Sequence, residues 1–482
     1  MATRKYGGRR GARKKRRVSN EVSGEIESGW RSGVEHEQSP TVAQLLPLDV
    51  LREVFLHAIP SGYHASVKAA TLGQWRSFFS NIFPVNLTLV CRSWRAAAID
   101  TPGIWSKWYI NVHSPSQKAL LIMKRFLACV IGRSDAVNLT LHLWFTGTFD
   151  GVRACDAVSP IMKYQERWED VDIDLGKGLE DNPVCRIYSS RLHSLRRLRL
   201  IGPQWTCYRT ETRTAPSSRL DVPPIHILHL DNLQSATLHS ISNFQQLSEL
   251  SICLHEDFRN HGSLKLPALR RLGIRKAFYY KGDRFHSILS NMECNSLQEL
   301  SIENTNTLSL QGYIDFVVRN GLANTLLSLR LIFAVFHLHG HHPEDAENDI
   351  ISLLRLLTSL RRLAIFKGMN GGSLSAMTSV TAGRFQLCPL LEELVLDYVK
   401  ADEHLFADLV NARWNEPGRC IKSMTFLRCA YRKVGKRDVY FSHISGTEAC
   451  VQNGLKLNVS VNMTEDMKDY GLGYATIDCC QT

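Results

Sequence analysis

The stretch Leu-His-Ser-Leu-Arg-Arg-Leu-Arg-Leu at residues 192–200 has apolar residues at its first, fourth, seventh and ninth positions. The same order returns in Leu-Thr-Ser-Leu-Arg-Arg-Leu-Ala-Ile at residues 357–365. Its last two apolar positions alternate with polar ones, which is the pattern of a short strand with one buried face. The pattern recurs, with Cys or Ala allowed at its first position, at Phe244–Ile252, Leu266–Ile274, Cys294–Ile302, Ala323–Leu331 and Cys388–Leu396.

The spacing of these stretches predicts a strand followed by a helix in each unit. Their final positions advance by 22 to 34 residues between Ile252 and Leu396, which leaves room for a turn and a helix behind each strand. One unit cannot bury its own apolar face, so the units must stack. The pattern resembles the leucine-rich repeat with an irregular period, and we expect an α/β solenoid over residues 130–430. The alternation from Leu455 to Val461 predicts one further strand, in a C-terminal cap over residues 431–482.

Positive charge is concentrated at the N-terminus. The formal net charge is +12, and residues 1–17 contain nine Lys or Arg and no acid. The remainder is close to neutral, which argues against a nucleic-acid surface on the folded body. Residues 1–40 are polar with few large apolar groups and are expected to be disordered. The run within residues 9–17 is typical of a nuclear import signal. The alternative function is a nuclear scaffold or nucleic-acid-associated protein that uses this tail, with the helical residues 41–110 serving only as a cap for the solenoid.

Other features bear on compartment and chemistry. No apolar run approaches the roughly 18 residues of a membrane helix, so we expect no membrane partner. The thirteen cysteines are an odd number without C-x-x-C pairs, and no signal peptide is visible, so reduced thiols in the nucleus or cytoplasm are expected. No phosphate loop or catalytic set appears, so we expect no enzyme and no cofactor. The histidines between His337 and His342 suggest a metal site, but a polar loop explains them as well, and we expect none.

Residues 41–110 predict a small helical domain. The apolar residues Leu51, Val54 and Phe55 have helical spacing, and Pro47 suits a first helical turn. A second amphipathic run covers residues 72–82, and a third covers residues 87–97. Helices this short depend on packing against one another.

The first and third of these runs carry a family resemblance. Leu-Pro-Leu-Asp-Val-Leu-Arg-Glu-Val-Phe-Leu at residues 46–56 resembles the opening of an F-box, and Val-Cys-Arg-Ser-Trp-Arg at residues 90–95 resembles its closing segment. Thr-Pro-Gly-Ile-Trp at residues 101–105 resembles the continuation common in fungal F-box proteins. The resemblance implies an all-α F-box module that binds the Skp-type adaptor of a cullin–RING ubiquitin ligase. The adaptor-binding residues it implies are Leu46, Pro47, Leu51, Val54, Phe55, Val90, Cys91 and Trp94.

An F-box followed by leucine-rich repeats resembles the substrate receptors of such ligases. The expected fold class is therefore a multidomain α+β and α/β chain: disordered tail, all-α F-box module, irregular α/β leucine-rich-repeat solenoid. An unidentified protein substrate would bind the outward-facing strand residues, whose charges have mixed signs. These substrate-face candidates are Arg197, Arg199, Glu249, Arg271, Arg275, Glu299, Arg330, Arg362 and Glu393.

Overall fold

The protein is described here from a computed structural model. Several sequence predictions fall outside the described residues: the tail with its basic run, most of the second helical run, and the histidines between His337 and His342. The described residues are 46–58, 65–67, 82–175, 185–188, 191–202, 205–208, 224–233, 241, 244–254, 263–276, 285–305, 310–333, 343–381, 383–416, 419–431 and 439–460.

One large parallel sheet organises the described chain. It contains sixteen strands, of which fourteen form one continuous hydrogen-bonded path and the other two pair with each other beside it. Three small two-stranded sheets complete the strands. The strands are β1 Ala65–Val67, β2 Lys107–His113, β3 Leu139–Thr146, β4 Trp168–Asp174, β5 Cys185–Tyr188, β6 Arg197–Ile201, β7 Trp205–Tyr208, β8 Ile227–Leu233, β9 Glu249–Leu254, β10 Leu264–Lys265, β11 Arg271–Lys276, β12 Met292–Glu293, β13 Glu299–Thr305, β14 Ser328–Phe333, β15 Arg362–Phe366, β16 Val380–Thr381, β17 Arg384–Phe385, β18 Glu393–Asp397, β19 Ser423–Leu427, β20 Ala430–Tyr431, β21 Val439–Tyr440 and β22 Lys456–Ser460.

Helices connect many of these strands. Short 3₁₀ turns occur at Val85–Leu89, Pro102–Trp105, Ile161–Arg167 and Leu322–Asn324. The α-helices are α1 Leu48–His57, α2 Arg92–Ile99, α3 Gln117–Arg133, α4 Gly151–Val158, α5 Phe285–Ser290, α6 Gln311–Arg319, α7 Pro343–Leu356, α8 Gly371–Thr378, α9 Glu403–Asn415 and α10 Glu448–Gln452. None of them combines the length and the apolar character that a bilayer crossing needs.

Two rows of apolar side chains cross the sheet in register. One runs from Trp108 on β2 to Leu457 on β22, and the other runs from Ile110 to Val459 on the same two strands. Buried side chains of the helices join these rows in one apolar core. All seven patterned stretches end in strands of this sheet. The expected C-terminal strand is also present, as β22. The residue pattern therefore located these strands correctly.

The expected fold class is nevertheless wrong for residues 41–110. These residues do not form an all-α F-box module, because they contain β1 and the start of β2. β1 pairs in parallel with β2, with Ala65 opposite Ile110 and Val67 opposite Val112. The helices α1 and α2 are thus attached to the end of an α/β sheet.

The expectation of a leucine-rich-repeat solenoid over residues 130–430 is wrong as well. The sheet is not confined to that range, since it begins at β1 and continues to β22. Its connections are unequal: α3 has 17 residues and α5 has 6. The described part of the connection from β9 to β11 contains the two-residue strand β10. The apolar pattern specifies the strands but not the connections, so it could not establish equal stacked units. The observed fold is α/β.

Candidate functional site

The helices α1 and α2 pack directly against each other. The rings of Phe55 and Trp94 meet edge to face with their centroids 5.2 Å apart. Leu51 is completely buried beside them. On the surface, Arg52 Nη2 donates a hydrogen bond to Asp100 Oδ2 at 3.3 Å. The α1–α2 pair therefore contributes buried side chains to the main apolar core and has a polar contact at its rim.

Local hydrogen bonds explain where α2 begins. Cys91 is extended, and its Sγ accepts the backbone N–H of Trp94 at 3.5 Å, so the thiol occupies the N-cap position. Arg95 Nε donates to the carbonyl oxygen of Thr88 at 2.9 Å and ties the helix to the preceding turn. These contacts give the closing segment of the predicted F-box motif a structural role within the chain.

Two tryptophans attach the helix pair to the sheet. Trp105 is completely buried, and its Nε1 donates to the carbonyl oxygen of Ala98 at the end of α2 at 2.6 Å. The guanidinium of Arg133 lies 4.6 Å from the centre of the Trp105 ring. Trp108 Nε1 on β2 donates to the carbonyl oxygen of Trp105 at 2.6 Å. The position of α2 is therefore fixed relative to β2 and α3.

Exposed apolar side chains are concentrated on α1 and at the two ends of α2. Six of the fifteen exposed large hydrophobic residues in the described chain belong to residues 48–99, with exposed fractions between 40% and 53%. Single exposed apolar residues are common on soluble proteins, whereas a local concentration is typical of an interaction surface. This N-terminal apolar set consists of Leu48, Val50, Val54, Leu56, Val90 and Ile99.

The eight residues implied by the F-box resemblance divide into three groups. Pro47, Val54 and Val90 are exposed, and Leu46, Cys91 and Trp94 are half-buried. Leu51 and Phe55 are buried at 0% and 1% exposure, so they stabilise the helix pair from inside. The resemblance did not include four exposed members of the set: Leu48, Val50, Leu56 and Ile99. Their apolar character was visible in the sequence, but their exposure depends on which face of each helix packs inward.

A second candidate surface is the face of the sheet opposite the core, here called the polar face. It carries the side chains that alternate with the two apolar rows. All nine substrate-face candidates lie on it, distributed from β6 to β18. The structure thus brings these nine residues to one side of the sheet, as the period-2 alternation predicted.

Ion pairs cross the first half of the polar face. Arg197 Nε donates to Asp170 Oδ1 at 2.7 Å, and Arg199 Nη1 donates to Asp172 Oδ1 at 2.8 Å. Further along, Arg271 Nη1 lies 3.0 Å from a Glu249 oxygen. The acidic residues of β4 were missed in the sequence because that strand matched the repeat pattern only weakly.

Ion pairs between oppositely charged side chains also cross the second half of the polar face. Arg275 Nε donates to Glu303 Oε2 at 2.6 Å, and Arg330 Nη2 lies 3.7 Å from the other oxygen of that carboxylate. Arg362 Nη2 donates to Glu299 Oε1 at 3.0 Å. Opposite charges on nearby strands thus neutralise each other, so this surface is suited to a partner of mixed polarity.

Two histidines are built into the first half of this network. Burial raises the pKa of Asp170, but hydrogen bonds from His142 and Arg197 outweigh it, and the net pKa is lowered. A hydrogen bond from His229 is the largest effect on Glu249 and lowers its pKa, against a smaller opposing effect of burial. Both carboxylates are therefore stabilised in their charged form.

We expect these two carboxylates to make the fold acid-sensitive. Because their pKa values are lower in the folded chain, they stabilise it at neutral pH, and this contribution is lost as the pH falls below the ordinary carboxyl range near 4. Replacing Asp170 by Asn and Glu249 by Gln should lower the melting temperature at pH 7. Between pH 7 and pH 3.5, the melting temperature of this double variant should then fall less than that of the wild type. Glu53→Gln, at an exposed position on α1, is the control. An equally steep drop in the double variant would contradict the assignment.

Three of the buried thiols are held in their protonated form. Burial raises the pKa of Cys294, Cys388 and Cys429 to about 12, so these thiols are protonated at neutral pH. In the described part of the chain, no three His, Cys, Asp or Glu side chains are grouped as metal ligands.

No protein-family model matches the chain, and no curated protein is significantly similar to it. The features that bear on its function are therefore the two surfaces and the residues that resemble an F-box.

Proposed function

We propose that this protein is a non-catalytic recognition subunit of a cullin–RING ubiquitin ligase. In this proposal the α1–α2 pair binds the Skp-type adaptor through the N-terminal apolar set. The polar face of the sheet binds a protein target. A separate ubiquitin-conjugating enzyme performs the chemistry, and this chain contributes a high local concentration of the target.

The concentration of exposed apolar residues on α1 and at the two ends of α2 is the observation that carries this proposal. Five of the six residues lie within the two stretches that resemble the opening and closing segments of an F-box. Amphipathic helices that insert apolar side chains into a partner's groove are a common recognition mode. The Trp105 anchor holds this surface in a fixed place at the end of the sheet, which limits the ordering cost of binding.

The polar face has the character expected of a target-binding surface. Its side chains come from consecutive parallel strands and are held by ion pairs across them, so they form an ordered array. Arginines such as Arg271 and Arg362 keep more than half of their side-chain surface exposed, at 59% and 51%. Arginine is enriched at protein interfaces because its guanidinium donates several hydrogen bonds while its stem packs. For the compartment, the basic run within residues 9–17 supports nuclear import.

Replacing Val54 by Asp tests the adaptor surface. Val54 is 46% exposed on α1, and an interface that covers it would have to bury the new carboxylate. We expect the affinity for a purified Skp-type adaptor, measured by calorimetry, to fall about a hundredfold, which corresponds to about 2.7 kcal/mol.

The chain offers a matched control. Val451 on α10 is also a helical valine, and it is also 46% exposed. Val451→Asp should bind the adaptor like the wild type, and both variants should melt at similar temperatures. The proposal fails if Val54→Asp binds as tightly as Val451→Asp, or if the folded wild type binds no adaptor.

A further inference from the structure

A pair of arginines recurs at the start of three strands. The stretches that end in β6, β11 and β15 each contain Leu-Arg-Arg-Leu. The second arginine of each pair lies in the strand and belongs to the polar face, where a carboxylate on a nearby strand compensates its charge. The first arginine directly precedes the strand and is not one of the nine substrate-face candidates. These three preceding arginines are Arg196, Arg270 and Arg361.

Backbone hydrogen bonds place the three preceding arginines in one row across the sheet. The row begins at Arg196 and ends at Arg361, and each later member donates its N–H to the carbonyl oxygen of the member before it, at 2.7 to 2.9 Å. No member of this basic row is acidic, so the row contains three cations and no carboxylate. The members between the arginines are His226, Ser248, Gln298 and Leu327.

The arginines of the basic row are evenly spaced. Three strand-to-strand steps separate Arg196 from Arg270, and three more separate Arg270 from Arg361. At roughly 4.8 Å per step, each interval is about 14 Å. An extended peptide advances about 3.4 Å per residue, so four of its residues cover nearly the same interval. Anionic side chains four residues apart on an extended segment can therefore meet all three arginines.

The cations of the basic row are accessible to a partner. The side chains of Arg196 and Arg361 are 70% and 56% exposed, whereas their paired carboxylates are less exposed, at 34% for Glu169 and 20% for Glu392. Arg270 in the middle of the row is exposed as well, and no carboxylate of the described residues forms an ion pair with it. Exposed ion pairs are weak, so an incoming carboxylate can compete with those at the two ends of the row. The positive charge of this row is therefore open to an acidic partner, unlike the balanced charges of the polar face beside it.

We propose that the basic row binds an extended acidic segment of the target protein, with carboxylates about four residues apart. The segment runs across the strands from β6 to β15. Each arginine donates hydrogen bonds to one carboxylate, because the planar guanidinium matches the two oxygens of that group. This inference rests on the proposed target-binding role of the sheet and adds the chemistry of the target, but it does not depend on adaptor binding by the α1–α2 pair.

Peptide binding to the full-length protein tests the proposal. The probe is a labelled nonapeptide with Glu at its first, fifth and ninth positions and Ser or Thr elsewhere. At low ionic strength, we expect fluorescence anisotropy to give an affinity at least tenfold higher than that of a peptide with the same composition and three adjacent Glu residues. Only the spaced carboxylates can reach all three arginines. Equal affinities of the two peptides, or binding of neither, would overturn the proposal.

Variants of the basic row complete the test. Arg270→Gln combined with Arg361→Gln removes two of the three contacts and should weaken binding of the spaced peptide at least tenfold. Lys118→Gln combined with Arg125→Gln removes the same charge from exposed positions on α3 and should bind the peptide like the wild type. Equal binding by the two double variants would refute the role of the row. A single-stranded DNA octamer that binds more tightly than the spaced peptide would assign the row to nucleic acid and also overturn the proposal.

Adaptor binding separates this inference from the ligase proposal. The Arg270, Arg361 double variant should bind the Skp-type adaptor like the wild type, and Val54→Asp should bind the spaced peptide like the wild type. If the wild type binds the spaced peptide but no adaptor, the basic row is supported and the ligase role fails. If it binds the adaptor but not the peptide, the ligase role is supported and the basic row fails.

Discussion

Replacement of Trp105 by Ala is expected to reduce the free energy of unfolding by about 3–5 kcal/mol. The side chain is completely buried, donates its N–H to the Ala98 carbonyl at 2.6 Å and stacks under Arg133 at 4.6 Å. Its loss leaves a cavity between α2, α3 and β2, and the Ala98 carbonyl keeps only the weaker hydrogen bond from the Thr101 N–H at 3.4 Å. The affinity for the adaptor should fall as well, because the α1–α2 pair loses its attachment to the sheet.

Chemical denaturation followed by circular dichroism measures this effect. Trp144→Ala is the matched control, since Trp144 is only half-buried on the polar face at β3. Its truncation should cost clearly less than that of Trp105 and should leave adaptor binding intact. Equal losses for the two tryptophans would show that Trp105 does not hold the helix pair in place.

Arg413→Met should also destabilise the fold by about 3–5 kcal/mol. The guanidinium is 2% exposed and donates to the carbonyl oxygens of Met377, Leu387 and Cys388 at 3.0, 2.7 and 3.0 Å. Burial lowers its pKa to about 10, so it remains charged at neutral pH. Methionine fills a similar volume but donates no hydrogen bond. Three carbonyls therefore lose the hydrogen bond from Arg413, and of these Cys388 still accepts the N–H of Leu391 at 3.2 Å.

The control variant Arg361→Met distinguishes the loss of the Arg413 hydrogen bonds from the general effect of removing an arginine. Arg361 pairs with Glu392 at 2.8 Å, and its side chain is 56% exposed. Exposed pairs of this kind contribute about 0–1 kcal/mol. Hydrogen exchange should increase in residues 371–388 for Arg413→Met and stay unchanged for Arg361→Met. Similar losses of stability in both variants would contradict the carbonyl-bridging role of Arg413.

The strands could be predicted because their apolar alternation is local. Leu198 with Leu200 and Leu363 with Ile365 indicated strands by their own spacing, and the structure places both pairs in one sheet. β2 and β19 were missed because their aromatic and polar residues, such as Trp108 and Thr425, do not follow the leucine pattern.

Part of the candidate site could also be predicted from a local pattern, the alternation of side chains along each strand. Alternation assigned Arg271 and Arg362 to the polar face, because side-chain direction in a strand follows from position alone. It could not show that Glu249 and Glu299 would pair with them, since pairing depends on strand order and register. The motif around α1 indicated an interaction surface, but exposure of Val54 and burial of Phe55 follow from how α2 packs.

The sequence by itself located the seven patterned strands and β22 and showed which of their residues face inward, because the period of an apolar pattern is a property of consecutive residues. Only the tertiary structure decided that β1 joins the helical N-terminal region to the sheet and that the connections are unequal. It also gathered Phe366, Val395 and Leu427 into a patch on the polar face. These features depend on contacts between residues far apart in the chain, and a local sequence pattern does not specify such contacts.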